Sequence, residues 1–342
     1  NGNLARHKER LQRGFSERGI SQEFTDRLFQ QIRGFAEYGF PESHASSFAL
    51  LVYASSWLKV HHPAEFAAAL INSQPMGFYS PSTILRDAQK HGVKVRPVSI
   101  ASSDWDCTIE EGEIRVGLRL VKGLGEEGGK RIEAARRAGP FESVEDLSVR
   151  AQLSRRELEM LAASDALAPI VAERRQAIWN VRAPRGEGLF AGVDPGEEKV
   201  ALAPLPRDQA LSLDYAHLGL SVDDHPILLL RPRLPKKTKS AADLLRTRHG
   251  ARASVAGMVI CRQRPMTASG VVFLTLEDET GFSNLILYAC VFEQFRHVAT
   301  TSPLVIAHGK VERDGDVVYL LPESLEPLSM QRELPGMSRD FH

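Results

Sequence analysis

Residues 121–132, Val-Lys-Gly-Leu-Gly-Glu-Glu-Gly-Gly-Lys-Arg-Ile, place glycines at a spacing that lets a backbone close on a phosphate. Two chemistries compete for them. Gly123, Gly125 and Gly128 spell the dinucleotide pattern G-x-G-x-x-G after an expected strand and at the start of an expected helix, with Glu145 about twenty residues on. Against that, Glu126 and Glu127 put negative charge where a pyrophosphate would dock, and Gly139-Pro140 and Ser143 start another helix instead of a second βαβ half. A helix–hairpin–helix fits better. Its glycines make a tight turn, and N–H groups at the helix start bind one phosphate without reading sequence, helped by Lys122 and Lys130.

Other residue groups that could do chemistry weigh less. Asp104-Trp105-Asp106 has the spacing of a two-metal carboxylate pair, but it lies in a Ser-rich turn between strands and not on a strand facing a third acid. His61-His62 lacks partners at helical spacing and reads as a helix boundary. Cys107, Cys261 and Cys290 are odd in number and far apart, against a disulfide framework or zinc site and in keeping with a reducing cytoplasm. Asp223-Asp224 reads as helix capping. Ser43 and His44 precede an apolar helix, at an end with unpaired N–H groups and partial positive charge. They suit either a phosphate grip or a simple cap. No catalytic or metal-ligating residue is expected in this chain.

The elements that must position these groups are mostly helical at first. Residues 1–35 carry Leu4, Leu11, Phe15, Phe24, Leu28 and Ile32 at helical spacing, and residues 34–41 break the pattern. Ser46 to Val60 is apolar or small on nearly every face, which predicts a helix buried all round. Pro63 suits the first position of the next helix. A short helix from Ser82 to His91, capped by Ser82, leads to strands at 93–98 and 114–118. Ser154 and Glu157 form a capping box for a helix through Leu167, and residues 174–196 read as loop.

Residues 253–328 alternate with period two in five runs: 254–261, 271–277, 282–288, 304–311 and 317–321. A helix at 291–298 falls between the third and fourth, and Thr280-Gly281 and Asp314-Gly315 mark turns. Five strands with that helix placement predict an OB-fold. Its binding face would offer Phe273 and Tyr288 for stacking and Arg262, Arg264 and Lys310 for phosphate, with Phe273 equally suited to the core. Upstream, residues 231–252 hold eight Lys or Arg against Asp243 alone, a local +7 that suits either a solvated linker or phosphate tracking.

The stretch Phe40-Pro-Glu-Ser-His-Ala through Asn72 closely resembles the end of the fingers domain in bacterial C-family DNA polymerases, the polymerase III α type. It is most like the error-prone, mutagenic (ImuC-like) branch. Replicative members usually read Asn-Lys-Ser-His where this chain has Pro41-Glu42-Ser43-His44, so Glu42 replaces a lysine while His44 is retained. The resemblance continues in family order through the helix–hairpin–helix to the OB-fold. Gly186-Glu-Gly-Leu189-Phe190 resembles the family's sliding-clamp peptide without its Gln, and an incidental Leu-Phe in a loop fits as well.

The expected fold class is α+β and multidomain: a mainly helical N-terminal part with the helix–hairpin–helix, then an all-β OB-fold. The resemblance implies the end of the fingers at 1–79 and a connector with the hairpin at 80–173. A linker with the clamp motif and basic segment would fill 174–252, the OB-fold 253–329 and a frayed tail 330–342. It also implies templated DNA synthesis in lesion bypass and repair, using Mg2+ on palm aspartates that lie upstream. Partners would be DNA, deoxynucleoside triphosphates, the clamp and ImuA- and ImuB-like proteins. A stand-alone, non-enzymatic helix–hairpin–helix plus OB DNA-binding protein is the alternative.

Composition agrees with a soluble globular chain: 342 residues, 43 % hydrophobic, 25 % charged, with 43 basic and 43 acidic residues. No apolar run approaches the roughly 20 residues that cross a bilayer. The chain opens at Asn1 in helix-like sequence with no leader, and is read as a fragment of a cytoplasmic protein.

Overall fold

The structure, a computed structural model, describes residues 12–38, 42–75, 79–182, 200, 202–265, 270–330 and 339–341, with backbone alone for 32–38, 42–44 and 339–341. The chain divides into two units, Asn1–Phe66 and Ala67–His342.

In the first unit, α1 (Gln22–Tyr38) runs on through Gly34, so the expected break is shorter than the sequence suggested. Helix α2 (Glu42–His61) forms where the apolar run predicted it. It is not buried all round: Tyr53 is 72 % and Val60 73 % exposed, and Phe48, Leu50, Leu51, Val52, Trp57 and Leu58 are exposed too. An apolar pattern on every face states what a helix needs around it; the described residues do not supply that cover. His61 ends α2 with its ring 4.6 Å from Trp57, as a boundary residue should. Pro63 then opens α3 (Pro63–Asn72).

The second unit takes in the end of α3 from Ala67 and continues with α4 (Pro81–Lys90), capped by Ser80 and not Ser82, because Pro81 takes the first helical position and Ser80 Oγ accepts from Thr83 N. A small sheet of β1 (Val95–Arg96), β2 (Thr108–Glu110) and β3 (Glu113–Arg115) has order β1-β3-β2; β2 was not legible in the sequence. Its connecting turn carries Asp104 and Asp106, ion-paired to Arg136 and Arg119 at 2.6 and 2.7 Å. Then follow α5 (Glu126–Arg136), α6 (Val144–Arg150) capped by Ser143, and α7 (Arg155–Ala163) with the full Ser154/Glu157 capping box. Residues 174–182, expected as loop, are helix α8 (Arg174–Arg182). Arg174 holds it in place: the buried guanidinium donates to the Ala163 carbonyl and ion-pairs with Asp214 at 2.7 Å on α9 (Arg207–His217). A buried arginine reads as loop polarity in sequence.

His225, not Asp223 or Asp224, caps the short α10 (Pro226–Leu230); its Nδ1 accepts from Ile227 N at 3.1 Å, while Asp224 pairs with Arg207. After β4 (Thr238–Lys239) and α11 (Ala241–Leu245), the barrel comprises β5 (Arg252–Gln263), β6 (Val272–Glu277), β7 (Phe282–Leu287), β8 (Leu304–Asp314) and β9 (Val317–Pro327). Helices α12 (Ala289–Gln294) and α13 (Arg296–Thr301) sit between β7 and β8. Pairing runs β5-β6-β7-β9-β8 and returns to β5, antiparallel except β7 with β9, which closes the sheet as in an OB-fold. Val255, Val259, Leu274, Leu276, Leu285, Val305 and Leu320 fill its interior. The tail is not frayed throughout, since β10 (Arg339–Phe341) pairs in parallel with Cys261–Gln263.

Outside the barrel, Leu211, Tyr215, Ile227 and Leu230 pack on Ala256, Met258, Leu304 and Ile306. A buried polar junction joins the same elements. Arg86 on α4 reaches Glu277 on β6 at 2.9 Å and donates to Tyr215 Oη and the Asp224 carbonyl, and His225 Nε2 lies 3.8 Å from Glu277. Burial pushes the Glu277 carboxyl up against the pull of Arg86, and holds His225 well below the ordinary histidine value. The molecule is thus mixed α+β, with a helix–hairpin–helix part ahead of a closed five-stranded barrel.

Candidate nucleic-acid interface

The predicted hairpin is present, built from a 3-10 turn (Leu118–Leu120) and α5. Gly123 takes φ +90°, a left-handed conformation that side chains resist, and Leu124 is buried behind it. Gly125 is the N-cap of α5, at φ −79° and ψ 160°, with no atom within 4 Å of where a Cβ would stand. Beyond it the N–H groups of Glu126, Glu127 and Gly128 open the helix with no intrahelical acceptor. The remaining glycines serve packing. A Cβ on Gly128 would meet Glu157 Oε1 at 2.6 Å, and one on Gly129 would meet the Trp105 ring at 2.5 Å.

The geometry gives the two predicted lysines different tasks. Lys122 Nζ donates to the carbonyls of Tyr215 and Ala216 at 3.0 and 3.1 Å, so it closes the end of α9 and keeps one proton for anything else. Burial lowers its pKa. Lys130 is exposed and bonded to Glu133 at 3.0 Å.

A second hairpin, not recognised in the sequence, repeats the first. Between α6 and α7, Gln152 takes φ +50°, Leu153 is buried and Ser154 is the N-cap at ψ 157°. These match Gly123, Leu124 and Gly125 in turn. The signal was present as Gln-Leu-Ser-Arg-Arg against Gly-Leu-Gly-Glu-Glu, hidden because Gln replaces the left-handed glycine. Here the capping box takes the N–H groups of Ser154 and Glu157, and Arg155 and Arg156 stand where the first hairpin has Glu126 and Glu127. The hairpins lie together: Gly123 abuts Met160 on α7, one helical turn beyond Arg156. One hairpin presents open N–H groups and the other supplies cations.

On the barrel, the predicted residues separate. Arg262 donates to the Ala299 and Ser302 carbonyls at 2.7 and 2.8 Å and anchors the end of α13. Arg264 lies over the Phe292 ring at 5.2 Å. Phe273 faces outward between Gln263 and Ile286, because Val272, Leu274 and Leu276 point into the core. Tyr288, 50 % exposed, starts α12. Lys310 is exposed on β8, opposite Arg252. Ser43 and His44 fall in the first turn of α2, but their side chains lie outside the described residues, as do Leu189 and Phe190. No group of three metal-ligating side chains occurs among the described residues, and none of their helices is long and apolar enough to cross a membrane.

Two hairpins packed on a shared helix, followed by a closed five-stranded barrel, define a helix–hairpin–helix protein with an OB-type barrel. The family profile described as "Helix-hairpin-helix motif" matches residues 92–177, which contain both hairpins. Over its whole length the chain is homologous to proteins named "Error-prone DNA polymerase". It is 48 % identical to that of Anaeromyxobacter dehalogenans over 99 % of this chain and 31 % of the relative. With that of Pseudomonas fluorescens it is 48 % identical over 100 % of this chain and 34 % of the relative. The chain therefore spans about a third of the length of the curated relatives it matches. Among solved structures, an "OBody AM1L10 bound to hen egg-white lysozyme" matches 28 % of this chain and 98 % of its own at 23 % identity, with TM-score 0.24. That likeness carries no argument; the barrel rests on its own strand pairing.

Proposed function

We propose that this chain is the DNA-holding part of an error-prone DNA-directed DNA polymerase that works in lesion bypass and repair. The observation that carries the reading is the 48 % identity to proteins of that name along the whole chain, joined to a hairpin with open N–H groups. The hairpin pair grips one strand's phosphates, Lys130 and Arg156 supply charge, and no base edge is read. Phe273 and Tyr288 on the barrel stack on unpaired bases.

Polymerisation belongs in this reading to the whole protein, with Mg2+ held by aspartates outside this chain. Ser43 and His44 contact the incoming deoxynucleoside triphosphate, Leu189 and Phe190 dock the sliding clamp, and ImuA- and ImuB-like proteins assist in the cytoplasm. The division at 79, 173, 252 and 329 is part of the same reading.

Replacing Lys130 and Arg156 together with Gln tests the DNA grip. Both side chains are exposed, so folding should be unaffected. Binding to random-sequence duplex should weaken, and the slope of log K against log salt should fall by about 0.9 for each phosphate no longer neutralised. An unchanged slope means the hairpins do not touch DNA.

A further inference from the structure

We propose that the β5–β8 seam of the barrel is a second nucleic-acid surface, taking the phosphate backbone of duplex DNA. The proposal rests on the DNA-binding reading above but concerns different residues. Arg252 and Lys310 are direct cross-strand partners, both exposed on the outer face. Like charges placed so are destabilising in a sheet. Glu323 meets Arg252 at 3.2 Å, but both groups are largely exposed and such pairs contribute little. Lys310 makes no ion pair among the described residues.

The loop 246–251 adds Arg246 and Arg248, both exposed and unpaired among the described residues. It is pinned to β8. Gly250 N donates to the Val311 carbonyl and Val311 N to that of Ala251, each at 2.8 Å. Arg313 Nη1 donates to the carbonyls of Leu245 and Thr247, and Arg313 N to His249 Nδ1. The cations therefore sit on a fixed frame. Arg231 does not belong to the cluster, since Asp278 and Glu279 hold it. Asp314 and Asp316, in the turn beyond Arg313, bound the patch at that end.

The occupant follows from what the patch has and lacks. Loop 246–251 and the outward residues Arg252, Ser254, His308 and Lys310 include no Phe, Tyr or Trp to stack on an unpaired base. Asp243, Glu312 and Glu326 border these cations, but Arg246, Arg248 and Lys310 form no ion pair with them among the described residues, and a dense polyanion would supply that partner. Duplex DNA, with one charge per about 1.7 Å of axis, is denser in charge than a single strand.

The test compares the intact chain with the triple variant Arg246→Gln, Arg248→Gln, Lys310→Gln, using a random-sequence 20-base-pair duplex and a dT strand of equal length. Circular dichroism and thermal melting confirm that the fold is kept. The expected result is a duplex salt slope shallower by about 2 to 3, at about 0.9 per phosphate, and at least tenfold weaker duplex binding at low salt. Wild-type duplex slope and affinity would overturn the proposal, as would loss confined to the dT strand. So would an equal loss in a control carrying Arg18→Gln, Arg27→Gln and Arg137→Gln, which would reduce the effect to bulk charge. The hairpin variant keeps the two readings apart: a silent triple variant beside a crippled Lys130→Gln, Arg156→Gln protein sinks the seam and leaves the hairpins standing, and the reverse pattern does the opposite.

Discussion

His225 takes a structural role that only the folded chain assigns to it. It is buried, its Nδ1 caps α10, and Arg86, Arg231 and Lys90 add to the burial that keeps it neutral. The sign of its pH effect follows. Unfolded, the ring takes a proton below about pH 6.5; folded, it refuses that proton until the pH is well lower. Its contribution to stability is therefore present at neutral pH and lost on acidification through that window, at up to about 1.4 kcal/mol per pH unit. Glu277, raised by burial, acts oppositely: its share falls as pH rises above the ordinary carboxylate value. The two partly cancel in the wild type, so the comparison to make is with His225→Asn, which keeps the cap. Chemical denaturation at pH 5 to 8 should show the wild-type advantage over that variant shrinking below about pH 6.5. A difference that stays constant with pH would mean that folding leaves the titration of His225 unshifted.

At the scale of elements, the glycines divide into those that bind and those that pack. Gly129→Ala should destabilise by about 1–3 kcal/mol, although alanine is the better helix former, because its methyl enters the Trp105 ring. Thermal melting of that variant beside the wild type checks it; equal melting points would mean that the ring yields freely. Much of this was legible in the sequence. The barrel strands were, because period-two alternation is set by burial on one face, and so was the first hairpin, because only glycine sits easily at φ +90°. Arg174 and the second hairpin were not. A buried arginine and a left-handed glutamine are excused by long-range contacts that no local pattern carries. The site is similar: Lys122, Arg262 and Arg264 read as phosphate ligands, and the fold gives each a protein partner that the sequence did not announce. Arg156 drew no notice in the sequence, and the fold places it one turn from Met160, against which Gly123 packs.

For the whole molecule, an electrically neutral chain is proposed to hold a polyanion, so the positions of its cations must matter more than their number. On that proposal two cationic patches serve, one at the paired hairpins and one at the barrel seam, while many other arginines are used up in structure, Arg86, Arg174 and Arg231 among them. The apolar α2, exposed in its own unit, marks where the chain asks for cover that the described residues do not give. Central to the proposed function is that open N–H groups at the start of α5 hold a DNA phosphate. Gly125→Asp tests it most directly. The backbone there accepts any side chain, the space is empty, and an aspartate N-cap should leave stability equal or raise it by a few tenths of a kcal/mol. Its carboxylate would take the N–H groups and repel the phosphate, so duplex affinity at low salt should fall at least tenfold while the melting point holds. Wild-type affinity in a stably folded Gly125→Asp protein would contradict the claim.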